Sequence, residues 1–201
     1  MIKKLNFMSF TKGLKLFIYS SIMISFISCQ SDYDKMVKRE IASGKKYSDL
    51  IFDLKFGQTQ KKFFTDCWEL NKKKLINQGP NNQFVRHVLD SISPIYNPKN
   101  RMELLFYGIF DEKKILTGLK MRVSFLGWDP SVKNLQKDFL LIEAMKMMQH
   151  IYPGNSFIEL NTEVNGSPIM AKVDGNRLIT AYVYDNRFVQ MSIEDLNRKL
   201  N

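Results

Sequence analysis

Few side chains in this chain have the types and spacing that metal binding or cofactor chemistry requires. The two histidines, His87 and His150, lie far apart in the sequence, and no pattern of carboxylates surrounds either of them. A zinc or copper site usually needs at least three good ligands, and no ligand spacing here suggests one. The sequence also contains no phosphate-binding loop, dinucleotide fingerprint or nucleophile elbow. We therefore expect no metal and no cofactor.

Two close pairs of carboxylates are the candidates for acid–base chemistry. Asp66 with Glu69, and Asp111 with Glu112, could act as acids in the chemistry of sugars. Such pairs also occur by chance on any charged surface, so they do not by themselves indicate an active site. We expect no catalytic residue and a protein that is not an enzyme.

Two other functions stay open at this point. A hydrolase or transferase acting on glycans would use Trp128 to stack on a sugar and Asp129 in a cleft, with a second carboxylate roughly 5 to 10 Å away. A carrier of a small apolar ligand would need an enclosed cavity between sheet and helix, which a sequence cannot reveal.

The first 28 residues have the pattern of a secretory signal. Four lysines (Lys3, Lys4, Lys12 and Lys15) and no acid precede a run of 13 uncharged residues, from Leu16 to Ser28. That run is too short to span a hydrocarbon core as a helix, which takes about 20 residues. A basic start, a short apolar stretch and a small residue are typical of a signal peptide.

The end of this signal, Phe26-Ile27-Ser28-Cys29, resembles a bacterial lipobox. The resemblance implies that the Cys29 thiol receives a diacylglyceryl group, that cleavage follows Ser28, and that the new amino group is acylated. Two or three acyl chains hold a protein firmly on a bilayer, whereas one chain binds only marginally. An uncleaved anchor, or an ordinary signal with a chance cysteine, is the alternative.

The residues after Cys29 bear on localisation in the cell envelope. Gln30 stands where an aspartate would resemble an inner-membrane retention signal, so we expect the outer membrane. The stretch Ser31-Asp-Tyr-Asp34 is similar to the acidic export tag of surface lipoproteins in Bacteroidota. Because its two acids are separated, we expect the periplasmic face instead.

The length and charge of the rest of the chain limit its number of domains and its possible partners. Without the signal, 173 residues remain, which suits one domain with its own core. These residues carry 26 basic and 20 acidic side chains, a net charge of +6. We expect the bilayer, an envelope protein or an anionic polymer as partners and no nucleic acid, and we favour a solvated basic surface as the explanation of the charge. Once Cys29 is lipidated, Cys67 is the only thiol, so no intramolecular disulfide can form, and we expect Cys67 to be a small buried side chain.

The patterns along the chain predict an α+β fold in which two main helices pack with an antiparallel sheet. We expect residues 29–49 to form a flexible tether and residues 50–201 to form the single domain. Helices are predicted for residues 59–75, capped by Thr59, and for residues 130–151, starting at Asp129-Pro130. Strands are predicted near residues 50–56, 84–89, 101–110, 115–126, 157–160, 169–173, 178–184 and 188–192, with a last helical turn through Leu200. Strands that cluster between helices favour an antiparallel sheet, and two blocks of helix followed by strands hint at an internal duplication.

The clearest periodicity, from Ile115 to Leu126, locates a candidate contact surface. Apolar residues alternate there with a wetter row that contains Lys120 and Arg122. We predict a hairpin with the preceding strand, and a contact surface made of Lys120, Arg122 and Trp128. The helix at residues 59–75 is predicted to bury Phe63, Phe64, Cys67, Trp68, Asn71 and Leu75.

Two local resemblances accompany these patterns. Phe56-Gly-Gln-Thr-Gln60, Phe125-Leu-Gly-Trp-Asp-Pro130 and Lys172-Val-Asp-Gly-Asn176 are similar to stretches of an uncharacterised family of Bacteroidota lipoproteins. That resemblance implies an envelope location and no known activity. Leu54-x-Phe56-Gly57-x-Thr59 resembles the helix entry of small outer-membrane lipoproteins of the barrel-assembly type.

Overall fold

A computed structural model describes residues 31–89 and 101–199, and within these ranges eight strands form one antiparallel sheet. The strands are β1 (Asn77–Gln78), β2 (Val85–Leu89), β3 (Met102–Phe110), β4 (Leu116–Phe125), β5 (Ile158–Val164), β6 (Ser167–Asp174), β7 (Arg177–Val183) and β8 (Val189–Asp195). The helices are α1 (Asp32–Ala42), α2 (Gln60–Lys72), α3 (Lys137–Ile151) and α4 (Leu196–Lys199). The predicted mixed α+β fold with an antiparallel sheet is confirmed. The predicted signal region, Cys29 included, lies outside the described residues.

The sheet consists of two blocks with the same topology. In each block a long helix precedes a meander of four strands, and the strand order is β1-β2-β3-β4-β8-β7-β6-β5. The last strands of the two blocks, β4 and β8, therefore pair at the centre of the sheet, with Met121 opposite Met191. The block pattern suspected from the sequence thus appears in the topology of the sheet.

Strands β3 and β4 form the predicted hairpin, with Tyr107 opposite Lys120. The register shifts between Ile109 and Phe110, where the two strands contain a bulge or irregularity. A shift of one residue moves a side chain to the other face of a sheet. Leu116 belongs by alternation to the wetter row, yet its side chain is fully buried.

Helices α2 and α3 cover the same face of the sheet. Side chains from both helices lie in one hydrophobic core together with the inward-facing residues of β3, β4, β7 and β8. The helix residues of this core are Phe63, Cys67, Leu140, Ala144, Met147 and Met148. Lys120 and Arg122 alternate with buried residues of β4, so they point to the opposite face.

Two predicted boundaries are wrong. Residues 50–56 form a 3₁₀ turn over Ile51–Asp53 instead of a strand, because Leu50, Ile51 and Leu54 bury their side chains at a spacing that an alternating strand does not provide. Helix α3 begins at Lys137 instead of Pro130, after a 3₁₀ turn over Lys133–Leu135.

The stretch expected to be a tether, residues 29–49, contains α1 and packs from its middle onward. The larger of two compact units begins at Met36, whose side chain is 6% exposed. Further along, the Tyr47 amide donates a hydrogen bond of 2.6 Å to Asn176 Oδ1. Among the described residues, side chains ahead of Leu50 therefore already pack with the rest of the chain.

Candidate functional site

The predicted contact residues Lys120 and Arg122 lie side by side on the sheet face opposite α2 and α3. Lys120 is exposed, whereas the half-buried Arg122 guanidinium stacks between two rings, 5.5 Å from the centre of Phe84 and 4.7 Å from that of Tyr184. Arg122 Nε also donates to Gln190 Oε1 over 3.3 Å. These contacts fix Arg122 within the protein surface and leave Lys120 as the accessible cation.

A depression of about 560 Å³ surrounds Lys120, and hydroxyl groups are prominent among the polar groups of its lining. Thr180 Oγ1 and Ser192 Oγ lie 2.8 Å apart, and Ser192 Oγ donates to Glu194 Oε1 over 2.9 Å. The polar groups on this side of the depression are therefore already bonded to each other.

Trp128 is the third residue of the predicted contact surface. It follows β4 in the loop toward α3, and its indole Nε1 donates to the carbonyl of Asn186 over 3.1 Å. Asn186 belongs to the connection between β7 and β8. Trp128 thus ties two loops together.

Asp129 organises its own loop. Its Oδ1 accepts hydrogen bonds from the Ser131 hydroxyl at 2.7 Å and from the Ser131 amide at 2.8 Å. These bonds hold the pKa of the Asp129 carboxyl below its ordinary value. A general acid at neutral pH needs the opposite shift, so the geometry favours a structural role.

A second concave surface lies between α2 and strands β1 to β3, and we call it the aromatic groove. It encloses about 500 Å³, within the range of about 300–1,000 Å³ that is typical of small-molecule sites. Sixteen residues line it, seven of them aromatic and five of them Asn or Gln. None of the sixteen is charged, although a quarter of the whole chain is. The groove is therefore a neutral region on a basic protein.

Helix α2 provides the groove with exposed aromatic rings. Phe63 and Cys67, four residues apart, face the core, whereas Phe64 and Trp68 are 58% and 62% exposed. The prediction that Phe64 and Trp68 are buried is wrong. Consecutive residues of a helix point about 100° apart, so Phe63 and Phe64 cannot share one narrow buried stripe. The adjacency of Phe63 and Phe64 in the sequence is therefore the signal that one of these two rings is exposed.

The sheet side of the groove carries a set of amide side chains on a tight connection. The segment between β1 and β2 makes a 3₁₀ turn in which Asn81 and Asn82 have positive φ. The Gly79 amide donates to the Phe84 carbonyl over 2.8 Å, and a Cβ at Gly79 would lie only 2.7 Å from that oxygen. Gly79 therefore permits the close approach that shapes this wall.

These amides differ in how far they are already hydrogen-bonded. Asn71 Nδ2 donates to the Ile76 carbonyl over 3.1 Å, and Gln78 Nε2 donates to Asn82 Oδ1 over 2.8 Å. The exposed side chains of Asn77 and Gln83 make no hydrogen bond to any residue in the described ranges. Asn77 and Gln83 can therefore offer both donors and acceptors to a ligand.

Cys67, at the base of the groove, is not a reactive thiol. Its side chain is 9% exposed, and burial together with the nearby Asp66 charge raises its pKa to about 11. The interpretation of Cys67 as a small buried side chain is confirmed. Its sulfur contributes to the wall of the groove without nucleophilic chemistry.

A buried polar cluster near the turn between β6 and β7, which we call the polar clamp, contains Lys172, Asp174, Asn155 and Glu40. Lys172 is fully buried, and its Nζ donates to the Tyr152 carbonyl over 2.5 Å and lies 3.2 Å from Asp174 Oδ2. Burial lowers the pKa of Lys172, and the charge of Asp174 opposes that shift.

The other half of the polar clamp holds the N-terminal helix. Glu40 Oε2 accepts from the Gly175 amide over 3.0 Å, and Glu40 Oε1 accepts from Asn155 Nδ2 over 2.8 Å. These bonds lower the pKa of Glu40, that from Gly175 most strongly. The motif Lys172–Asn176, which suggested a family resemblance, thus has a structural role.

The histidines do not assemble a metal site in the structure. His87 Nδ1 lies 2.6 Å from the Leu75 carbonyl, and its ring meets Phe52 edge-on at 4.9 Å. Over residues 31–89 and 101–199, no three His, Cys, Asp or Glu side chains are grouped so that they could hold a metal ion. The same residues include no helix that is long and apolar enough to cross a membrane.

Comparison with known proteins gives no match among family models, curated proteins or solved structures.

Proposed function

We propose that this chain is a lipid-anchored lipoprotein of the cell envelope whose domain is a non-catalytic binding module. The anchor rests on the sequence alone: the basic start, the 13-residue uncharged run and the lipobox-like ending at Cys29. On this proposal the signal is removed and Cys29 is acylated. The domain is then held at the outer membrane, on its periplasmic face.

The binding role rests on one observation, the exposure of Phe64 and Trp68 in a groove that has no charged residue in its lining. Single exposed apolar residues are common, but contiguous ones in a concave surface indicate an interaction site. Trp and Tyr residues are also the ones that most often dominate the energy of an interface.

The anchor is tested by intact mass and membrane fractionation of the native protein beside a Cys29→Ala variant. We expect the native protein to carry the mass of several acyl chains and to sediment with membranes, and both properties to be lost in the variant. Cys67→Ala is the matched control, because it removes the other thiol and leaves the lipobox intact. A native protein that is unmodified and soluble would contradict the anchor.

The binding surface is tested by placing a photo-reactive phenylalanine at single positions of the full chain in intact cells. Trp68 reports on the aromatic groove, Lys120 on the surface predicted from the sequence, and the exposed Ile142 of α3 is the control. We expect an adduct with an envelope component from position 68 and none from position 142. Adducts from position 120 alone would move the binding site to Lys120 and Arg122.

A further inference from the structure

We propose that the ligand of the aromatic groove is an uncharged saccharide chain; this inference rests on the proposed binding function. A pyranose ring has two kinds of surface, an apolar face of C–H groups and a rim of hydroxyl groups. The groove has the complement of both, because exposed aromatic rings and amide side chains line one concave surface.

The rings that would take the apolar face come from both sides of the groove. Phe64 lies 6.3 Å from Phe110 with a ring tilt of 36°, and Trp68 extends the same helix face one turn further. On the sheet side the ring is that of Phe110, because Tyr107 lies opposite Lys120 in the β3–β4 pair and therefore faces the other side of the sheet. The electron-rich face of an aromatic ring attracts the weakly positive hydrogens of C–H groups.

The amides that would take the hydroxyl groups are Asn77 and Gln83. Each has a carbonyl oxygen and an NH₂ group, which match hydroxyls that both donate and accept. The bonded pair of Gln78 and Asn82 lies on the same wall and supports the turn between them. The backbone contact between Gly79 and Phe84 shapes the connection that carries these amides.

Three other ligand classes fit less well. A charged ligand would lose water in the groove and meet no opposite charge in its lining, at a high desolvation cost. Lys72, the cation beside Trp68 at 5.7 Å, already pairs with Glu69 at 2.9 Å. A hydrocarbon chain would leave the amide groups without hydrogen-bond partners. A peptide adding a strand would find only the two residues of β1 at this edge of the sheet.

The test uses the detergent-solubilised full chain in two steps. An array of neutral glycans, with acidic glycans as comparators, identifies the best neutral oligosaccharide. That oligosaccharide is then titrated against the fluorescence of Trp68 in a Trp128→Phe background, where Trp68 is the only indole. We expect saturable binding, and an affinity that falls about 30-fold or more in a calorimetric titration of Trp68→Ala.

Two further variants separate the aromatic and polar contributions. Asn77→Ala/Gln83→Ala should weaken binding of the same oligosaccharide about tenfold, because a hydroxyl loses its partner. Ile142→Ala, which removes an exposed side chain from α3, should leave binding unchanged. Asn77, Gln83 and Ile142 are all exposed, and unchanged near-UV circular dichroism confirms that each of these variants is folded.

The outcomes separate this inference from the proposed function. If no neutral glycan binds, or if binding is indifferent to Trp68→Ala, the saccharide inference is wrong. If position 68 nevertheless forms a photo-adduct with an envelope protein or a lipid, the binding module stands with another ligand. If neither experiment reports at position 68, the aromatic groove is not a binding site, and a binding role survives only if position 120 forms adducts.

Discussion

The two blocks of the sheet share a topology but use their helices differently. Helix α3 packs over β4, β7 and β8 at the centre of the sheet and buries Leu140, Ala144, Met147 and Met148. Helix α2 buries only Phe63 and Cys67 among its 13 residues. The first block therefore keeps an aromatic helix face uncovered, and the second does not.

The polar groups of the two blocks also differ, in whether they are already hydrogen-bonded within the protein. In the second block, the polar clamp pairs its carboxylates with Lys172, Asn155 or backbone amides in a buried site. In the first block, Asn77 and Gln83 are exposed and unbonded to any described residue. The polar groups of the clamp thus hold the domain together, whereas the Asn77 and Gln83 amides of the first block are available for a ligand. Each of the following variants tests one side of this contrast.

The largest effect is expected at Lys172. Lys172→Met removes a fully buried charge and leaves Asp174 buried beside it, so the free energy of unfolding should fall by about 3–5 kcal/mol. Urea denaturation measures the change. Lys146→Met is the matched control, because Lys146 also pairs with a carboxylate but is 58% exposed, and it should cost at most about 1 kcal/mol. Equal costs in the two variants would mean that the polar clamp adds nothing to stability.

The neighbours Phe63 and Phe64 provide the sharpest contrast within one helix. Phe63→Ala should lower the free energy of unfolding by about 3–5 kcal/mol, because it empties a site that is 2% exposed. Phe64→Ala removes the same atoms from a side chain that is 58% exposed, and should cost about 0.5 kcal/mol or less. The comparison is made by thermal and urea unfolding of both variants. A costly Phe64→Ala would show that this ring supports the fold instead of the groove.

The attachment of α1 to the second block predicts a pH dependence. The pKa of Glu40 is lowered by its bond from the Gly175 amide, so Glu40 stabilises the fold above its unfolded pKa near 4.5. That contribution is lost as the pH falls through the lower folded value. Glu40→Ala should cost about 1.5–3 kcal/mol at pH 7, and the two unfolding curves should converge at acid pH.

The control for Glu40 is Glu69→Ala. Glu69 also pairs with a cation, Lys72, but its side chain is 52% exposed, so its loss should change the free energy of unfolding by less than about 1 kcal/mol. Free-energy curves for Glu40→Ala and the wild type that differ equally at pH 7 and pH 3 would rule out the role of the Glu40 charge.

The sequence predicted the parts of the fold that depend on local periodicity. The alternation after Ile115 is a property of the strand itself, so the β3–β4 hairpin is predictable, as is the run of strands from β5 to β8. The bulge near Phe110 was not predictable, because it depends on the partner strand and reverses the environment of Leu116.

The groove and the clamp were missed for a related reason. Helical spacing alone assigns every apolar residue of α2 to the core, because a sequence does not show how much of a helix its neighbours cover. The polar clamp joins Glu40 to Gly175 across 135 residues of sequence, so no local pattern contains it. Local patterns therefore predict only a tether around Glu40 and a turn at Gly175.

The smallest predicted effect compares the starts of the two long helices. Thr59 Oγ1 accepts a hydrogen bond from the Lys62 amide over 3.2 Å, which confirms the predicted cap of α2. Thr59→Ala should therefore lower the free energy of unfolding by about 1 kcal/mol, and Thr59→Ser should restore most of it. Urea denaturation of matched samples resolves a difference of this size.

The start of α3 uses a different arrangement. Gln136 occupies the capping position without capping the helix, and its Nε2 instead lies within 3.1 Å of the carbonyl oxygens of Asp129, Pro130 and Val132. Gln136→Ala removes exposed neutral bonds and should cost about 0.5 kcal/mol, less than Thr59→Ala. If Gln136→Ala lowered the free energy of unfolding more than Thr59→Ala, the loop after β4, and not a cap, would determine where α3 begins. In that case the helix predicted to begin at Pro130 begins later because Gln136 bonds the preceding carbonyl oxygens and keeps this segment out of a helical conformation.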